Sequence, residues 1–208
     1  ESSEDKNYPV KPLVDESADQ LMQLLQLGVR QDGETGTTVI LPFCDFSIEQ
    51  LRETIEYWWW PRLLQPEFRT RVEFELIDNG SQISPPKPDR REELIPFIEC
   101  FKSLNSKDGG DKYKRHDIDI KGVAGSNGTK AGRLSLTAVG ESVKSEIALI
   151  RSGFVIAYDK KFLFEDKAPV VGVFEPFDDN VQAFAYSEPE AHHEWQPEHG
   201  RLKEAMPW

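Results

Sequence analysis

Cysteine is nearly absent: Cys44 and Cys100 are the only two in 208 residues. Both sit in apolar contexts, which suits reduced, buried thiols in a cytoplasmic protein better than a disulfide framework. Positive charge is also short. Lys and Arg number 25 against 37 Asp and Glu, for a formal net charge of −12. Such a surface repels nucleic-acid phosphates unless cations are locally concentrated, so direct nucleic-acid binding is not expected. The basic run Lys112, Lys114, Arg115, His116 is offset by Asp111, Asp117 and Asp119 and reads as a solvated loop. No apolar run approaches the roughly 18 residues of a membrane span, so no membrane partner is expected. The opening residues do not have the form of a secretory signal. The chain begins at Glu1 rather than at methionine, as expected of a trimmed chain or a fragment.

Catalytic signatures are equally scarce. His192, His193 and His199, with Glu188, Glu190, Glu194 and Glu198, offer imidazole and carboxylate ligands for a metal-dependent hydrolase. Adjacent histidines on an extended tail point opposite ways, and no HExxH spacing occurs, so no metal is expected there. Gly122, Gly125 and Gly128 before Thr129 and Lys130 lack the Walker spacing and read as a connection between strands. No serine, cysteine or histidine pattern marks a triad, and no catalytic residue is expected.

What is present is a globular composition, with 38% hydrophobic and 30% charged residues. Residues 1–16 read as a polar arm. Residues 17–27 read as a short amphipathic helix with Leu21, Leu24 and Leu25 on one face and Gly28 as its C-terminal cap. Residues 37–43 read as an apolar strand. A second helix is expected over 48–64, with Ser47 and Gln50 as a capping box and Pro61 bending or ending it. Within it, Trp58-Trp59-Trp60 invites a stacking platform. Successive helix positions point about 100° apart, so two of these rings are expected in the core and one at its rim.

Residues 70–77 alternate as a strand, and Asp78-Asn79-Gly80 marks a hairpin turn. The same residues are similar to an adenine loop, but the turn explains them. A third helix is expected over 90–104, with Asp89 and Glu92 as a capping pair and Pro96 leaving its start open. Strands are expected over 116–122, 132–139, 146–158 with a turn at Arg151-Ser152-Gly153, and 170–176. Residues 181–187 read as a short helix, and the tail is polar. The expected fold class is α/β or α+β, a mixed sheet with a few packed helices.

The stretch ETGTTVILPF, residues 34–43, resembles the closing strand of the GHKL ATPases. That superfamily includes gyrase, the large heat-shock chaperones, histidine kinases and mismatch-repair ATPases. Gly36, Thr37, Val39 and Leu41 stand at its Gly-Thr-x-(apolar)-x-(apolar) positions. Further along, LPFCDFSIEQLRETIEYWWWPRLLQPEFRTRVEFEL, SEIALIRSGFVIAYD and AYSEPEAHHEWQP look like successive segments of a group of bacterial GHKL-type proteins. Together they cover roughly residues 20–197, in order.

The resemblance implies that 1–42 is the tail of an ATPase domain. It implies that 43–208 is the following transducer-like domain, in better-known relatives an α/β unit with a left-handed crossover. It places Thr37 beside the adenine pocket. It offers Arg151 as a cation sensing the terminal phosphate, with Lys121 and Lys130 as further candidates. The family's Glu and Asn helix and its adenine loop should precede the Gly-Thr strand, and they are missing. Asp78-Asn79-Gly80 follows that strand and is not that loop.

This chain alone is therefore not expected to bind or hydrolyse ATP. The whole protein is expected to be an ATPase using ATP and Mg²⁺, with this region coupling nucleotide state to a homodimer or another protein. Two alternatives stand beside it. One is a stand-alone interaction module using exposed Trp58–Trp60, Trp195 and Trp208. The other is the metal-dependent hydrolase.

Overall fold

A computed structural model describes residues 16–26, 33, 35–37, 39–41, 43–64, 72–106, 112–119, 130–141, 143–160, 168–189 and 194–196. The chain divides into two compact units, Glu1–Asp45 and Phe46–Trp208. In the first, α1 spans Glu16–Leu24 and buries none of its residues. The helix expected over 17–27 thus ends at Leu24, Leu25 falls just after it, and Leu21, Leu24 and Leu25 are all exposed. The expected cap Gly28 and the expected arm up to residue 15 lie outside the described residues.

The expected strand over 37–43 is not formed among the described residues. Val39 is 77% exposed, Leu41 63% and Phe43 fully exposed. Apolar alternation makes a strand only where a second strand supplies hydrogen-bond partners and a covered face. Among the described residues, neither is supplied to this segment. Cys44, expected to be buried, is exposed, and its thiol donates to the Leu41 carbonyl at 2.8 Å.

The second unit begins with α2, Ile48–Leu64. Its start is the expected capping box. Gln50 N–H donates to Ser47 Oγ at 3.2 Å, and Ser47 N–H donates to Gln50 Oε1 at 2.7 Å. Pro61 does not end the helix: it is buried, and α2 runs on to Leu64, the expected limit. Proline cannot donate to the carbonyl four residues back, which is that of Tyr57. The Tyr158 hydroxyl donates to that carbonyl instead, at 2.7 Å, and accepts from Trp60 Nε1 at 3.1 Å.

Strands β1 (Ile77–Asp78) and β2 (Ser81–Gln82) form a minimal hairpin. Asn79 and Gly80 both adopt positive φ, 48° and 79°, as a tight two-residue turn requires. The rest of the expected strand, residues 72–76, has no ladder. A 3₁₀ turn, Pro88–Arg90, precedes α3, Ile95–Asn105. Pro96 sits in the first turn of α3, where its missing N–H costs nothing. Asp89 and Glu92 therefore fall ahead of the helix and do not cap it.

The main sheet has five strands: β3 (Lys114–Asp119), β4 (Lys130–Ala138), β5 (Glu146–Arg151), β6 (Phe154–Asp159) and β7 (Val170–Pro176). Their order is β3-β4-β7-β5-β6, antiparallel except for the pair β5 and β7. Between those two strands the chain carries β6 and residues 160–169, with no helix among the described residues. The architecture is a mixed sheet with packed helices, α/β or α+β.

One sheet face packs on α2 and α3. Val171, Val173, Ala148 and Ile150 meet Trp60, Phe97 and Phe101 in the core. Burial of such side chains contributes about 1.5–3 kcal/mol each. Buried polar groups on this face are paired: Ser103 Oγ and Ser135 Oγ lie 2.6 Å apart. The C-terminal carbonyls of α3 are held by guanidinium groups. Arg115 donates to those of Ser103 and Ser106, and Arg133 donates to that of Leu104. Cations at this end also suit the helix dipole. The basic run expected as a solvated loop thus enters strand β3, and Lys112 and Tyr113 both bind Glu99.

On the other face, Phe174 packs against Phe184 of α4, Val181–Tyr186, and against Trp195. Gly132 opposite Pro176 is required: a side-chain carbon would overlap the Glu175 carbonyl oxygen and lie 2.8 Å from Pro176 Cα. Among the described residues, no helix is long and apolar enough to cross a membrane.

Candidate functional site

Arg151 closes β5, and the loop to β6 is only Ser152 and Gly153, with φ of 54° and 84°. A two-residue turn of this hand matches the twist of its strands and fixes where the preceding side chain points. The Arg151 guanidinium meets Glu188 in a bidentate pair. Nε donates to Oε1 at 2.5 Å and Nη2 to Oε2 at 2.6 Å. Glu188 is fully buried and the Arg151 side chain is 14% exposed. Trp195 Nε1 donates to Glu188 Oε1 at 2.9 Å. The chain returns to deliver that indole because Gln196 N–H donates to the Ser187 carbonyl at 2.7 Å. The guanidinium also lies 5.4 Å from the Phe154 ring centroid.

Two segments singled out in the sequence, the Leu-Ile-Arg turn and the Glu-Pro…Trp tail, therefore meet at one cation. Arg151 uses its Nε and Nη2 edge on Glu188, and Nη1 has no hydrogen bond to a described residue. A fixed guanidinium with donors to spare can recognise an anion's oxygens.

Ser152 and Gly153 also line a cleft of about 490 Å³, with Arg133, Glu175, Phe177 and Asp178 on its other walls. Arg133 Nη2 donates to Glu175 Oε2 at 2.8 Å. Burial pushes the Glu175 carboxyl above its ordinary range, with Arg133 opposing and Asp178 reinforcing the shift. Arg133 Nε is buried without a hydrogen-bond partner among the described residues.

Thr37 belongs to the first unit and is exposed. Lys121 lies outside the described residues. Lys130 opens β4 and pairs with Asp117. His192, His193, His199, Glu190, Glu198 and Trp208 lie outside the described residues. Among the described residues, no group of three or more His, Cys, Asp or Glu is placed to hold a metal.

The exposed-aromatic platform is corrected by the packing. Trp60 is fully buried. Trp58 meets Tyr57 and Tyr158 edge-on, and Trp59 stacks on Phe154 at 5.5 Å. Trp195 is held between Phe174 and Phe184. These rings are structural, each half-buried or deeper.

Glu188 is the residue that sequence reasoning missed as a partner for Arg151; it was weighed there only as a possible metal ligand, and that role was not expected. Its signal was the Glu-Pro…Trp segment itself. A buried carboxylate needs a cation, and Arg151, 37 residues earlier, supplies one. Comparison with family models, with curated proteins and with solved structures gives no match for this chain.

Proposed function

We propose that this chain is the transducer-like, non-catalytic region of a bacterial GHKL-type ATPase, acting in the cytoplasm. It couples nucleotide state in an N-terminal domain to a partner protein or to dimer geometry. ATP and Mg²⁺ belong to that domain. Arg151 is the cation that senses the terminal phosphate, and Glu188 and Trp195 hold it in place. The chemistry asks for this: a phosphoryl group gathering charge needs a fixed positive donor, organised before reaction.

The observation carrying the reading is the convergence of Arg151, Glu188 and Trp195, which come from the segments that support the resemblance. The exposure of Val39, Ile40, Leu41 and Phe43 supports the second half of the reading. An apolar segment without a partner strand suits the closing part of a sheet supplied by another domain.

The same exposed segment favours one alternative, a stand-alone interaction module. Its contact surface is then residues 39–43 rather than the tryptophans.

The experiment is calorimetric titration with a non-hydrolysable ATP analogue and Mg²⁺. It uses this chain and a longer chain carrying the proposed N-terminal domain. Binding by the longer chain alone supports the proposal. Binding by this chain alone refutes it. A longer chain that binds no nucleotide favours the interaction module.

A further inference from the structure

A second cleft, of about 310 Å³, lies where α2 meets the 3₁₀ turn. Arg52, Glu56, Ser84, Lys87, Arg90 and Arg91 line it. It gathers four cations against one carboxylate, in a chain whose net charge is −12. The carboxylate is committed to the fold. Glu56 is buried, its Oε1 accepts from Lys87 N–H at 2.7 Å, and its Oε2 lies 3.8 Å from Arg91 Nη1. Arg91 is committed too, donating to the Glu53 carbonyl at 2.9 Å and to the Glu93 carboxylate.

Arg52, Lys87 and Arg90 differ. Their side chains make no hydrogen bond or ion pair with a described residue. Arg52 is half-buried, while Lys87 and Arg90 are exposed. Converging cations repel one another, and this protein has carboxylates in excess with which to neutralise them. Here they face a concave space instead of carboxylates.

We infer that this cleft binds a small polyanion of the diphosphate class. Two guanidinium forks and an ammonium match phosphate oxygens in number and geometry. The volume sits at the lower end of small-ligand sites, enough for a diphosphate group. An extended nucleic acid is disfavoured by the net charge of −12. The inference rests on this cleft alone and is independent of the role proposed for Arg151.

The test is titration of the 208-residue protein with pyrophosphate, and separately with inorganic phosphate, by calorimetry at low ionic strength. Pyrophosphate is expected to bind saturably and more tightly than phosphate. The double variant Arg52→Gln with Arg90→Gln is expected to bind it about tenfold or more weakly, with unchanged thermal stability. Glu56→Gln keeps an acceptor for Lys87 N–H, removes the negative charge and is expected to tighten binding severalfold. Lys144→Gln, at an exposed cation elsewhere, is expected to leave binding unchanged. No saturable binding into the millimolar range overturns the inference. So does unchanged affinity in the double variant, or tighter binding of a glutamate-rich peptide or an oligonucleotide than of pyrophosphate.

Discussion

Replacing Arg151 with alanine tests the core of the site. The substitution leaves Glu188, which has no solvent exposure, as a buried carboxylate stripped of its bidentate partner. Breaking a buried pair in this way costs about 3–5 kcal/mol. Arg151 itself is 14% exposed, and Trp195 Nε1 still donates to Glu188, so the lower end applies. For a chain of this size each kcal/mol shifts Tm by about 2–4 °C, so a fall of roughly 6–12 °C is expected. The assay is thermal unfolding followed by circular dichroism.

The partner experiment replaces both residues, Arg151→Met with Glu188→Leu. No charge is then left buried, and most of the loss is expected to be recovered, apart from the acceptor that Trp195 loses. A loss below about 1 kcal/mol in Arg151→Ala would place the pair among exposed ion pairs and refute the reasoning.

Tyr158→Phe strands two groups at once, the Tyr57 carbonyl that Pro61 leaves open and Trp60 Nε1. A loss of about 1–3 kcal/mol per stranded buried group is expected in urea unfolding, and a neutral result contradicts it. Cys100 is buried and its thiol is pushed up to about 11, chiefly by desolvation, whereas Cys44 is exposed. An aromatic disulfide reagent near neutral pH should titrate one thiol quickly in the native protein and both in denaturant. Glu175 is held above its ordinary range by burial, so between the unfolded and folded values the native state binds more protons than the unfolded state. Its contribution is present at low pH and is lost as pH rises through the raised value, so Glu175→Gln should flatten that fall in a series of melts across the acidic range. An unchanged slope would mean that Arg133 cancels the burial.

Where local chemistry decides an element, the sequence was sufficient. Ser47 and Gln50 place the start of α2, and Asn79-Gly80 places the hairpin turn. Val170–Pro176 is a strand with the limits its apolar run implies. The turn at Ser152-Gly153 was equally visible. Where an element depends on a distant partner, the sequence was silent. Residues 37–43 have a strand's composition, yet they find no ladder among the described residues. Pro61 is a helix breaker by type, but Tyr158 satisfies the carbonyl it strands, that of Tyr57, 101 residues earlier than Tyr158. Of Trp58–Trp60, two were expected in the core and one at its rim; Trp60 alone of the three is fully buried, and Trp58 and Trp59, half-buried, pack on aromatic residues of β6.

The site divides the same way. Arg151 was offered by the resemblance, through the Leu-Ile-Arg segment. Its partner Glu188 was not, because a charge's burial is a property of the folded neighbourhood. The basic cleft was hidden for a related reason. Arg52 lies on α2 and Arg90 in the 3₁₀ turn, and only the packing of those two elements brings them together.

The most direct test of the central claim is ATP hydrolysis by a longer chain carrying the proposed N-terminal domain, compared between native Arg151 and Arg151→Lys. Lysine keeps the charge but loses the planar fork that spans Glu188 while leaving Nη1 for phosphate. The account expects kcat to fall about tenfold or more with KM little changed, because the missing interaction is one made to developing charge. An unchanged kcat, with the variant folded and stable, would contradict the assignment of Arg151 as the phosphate sensor.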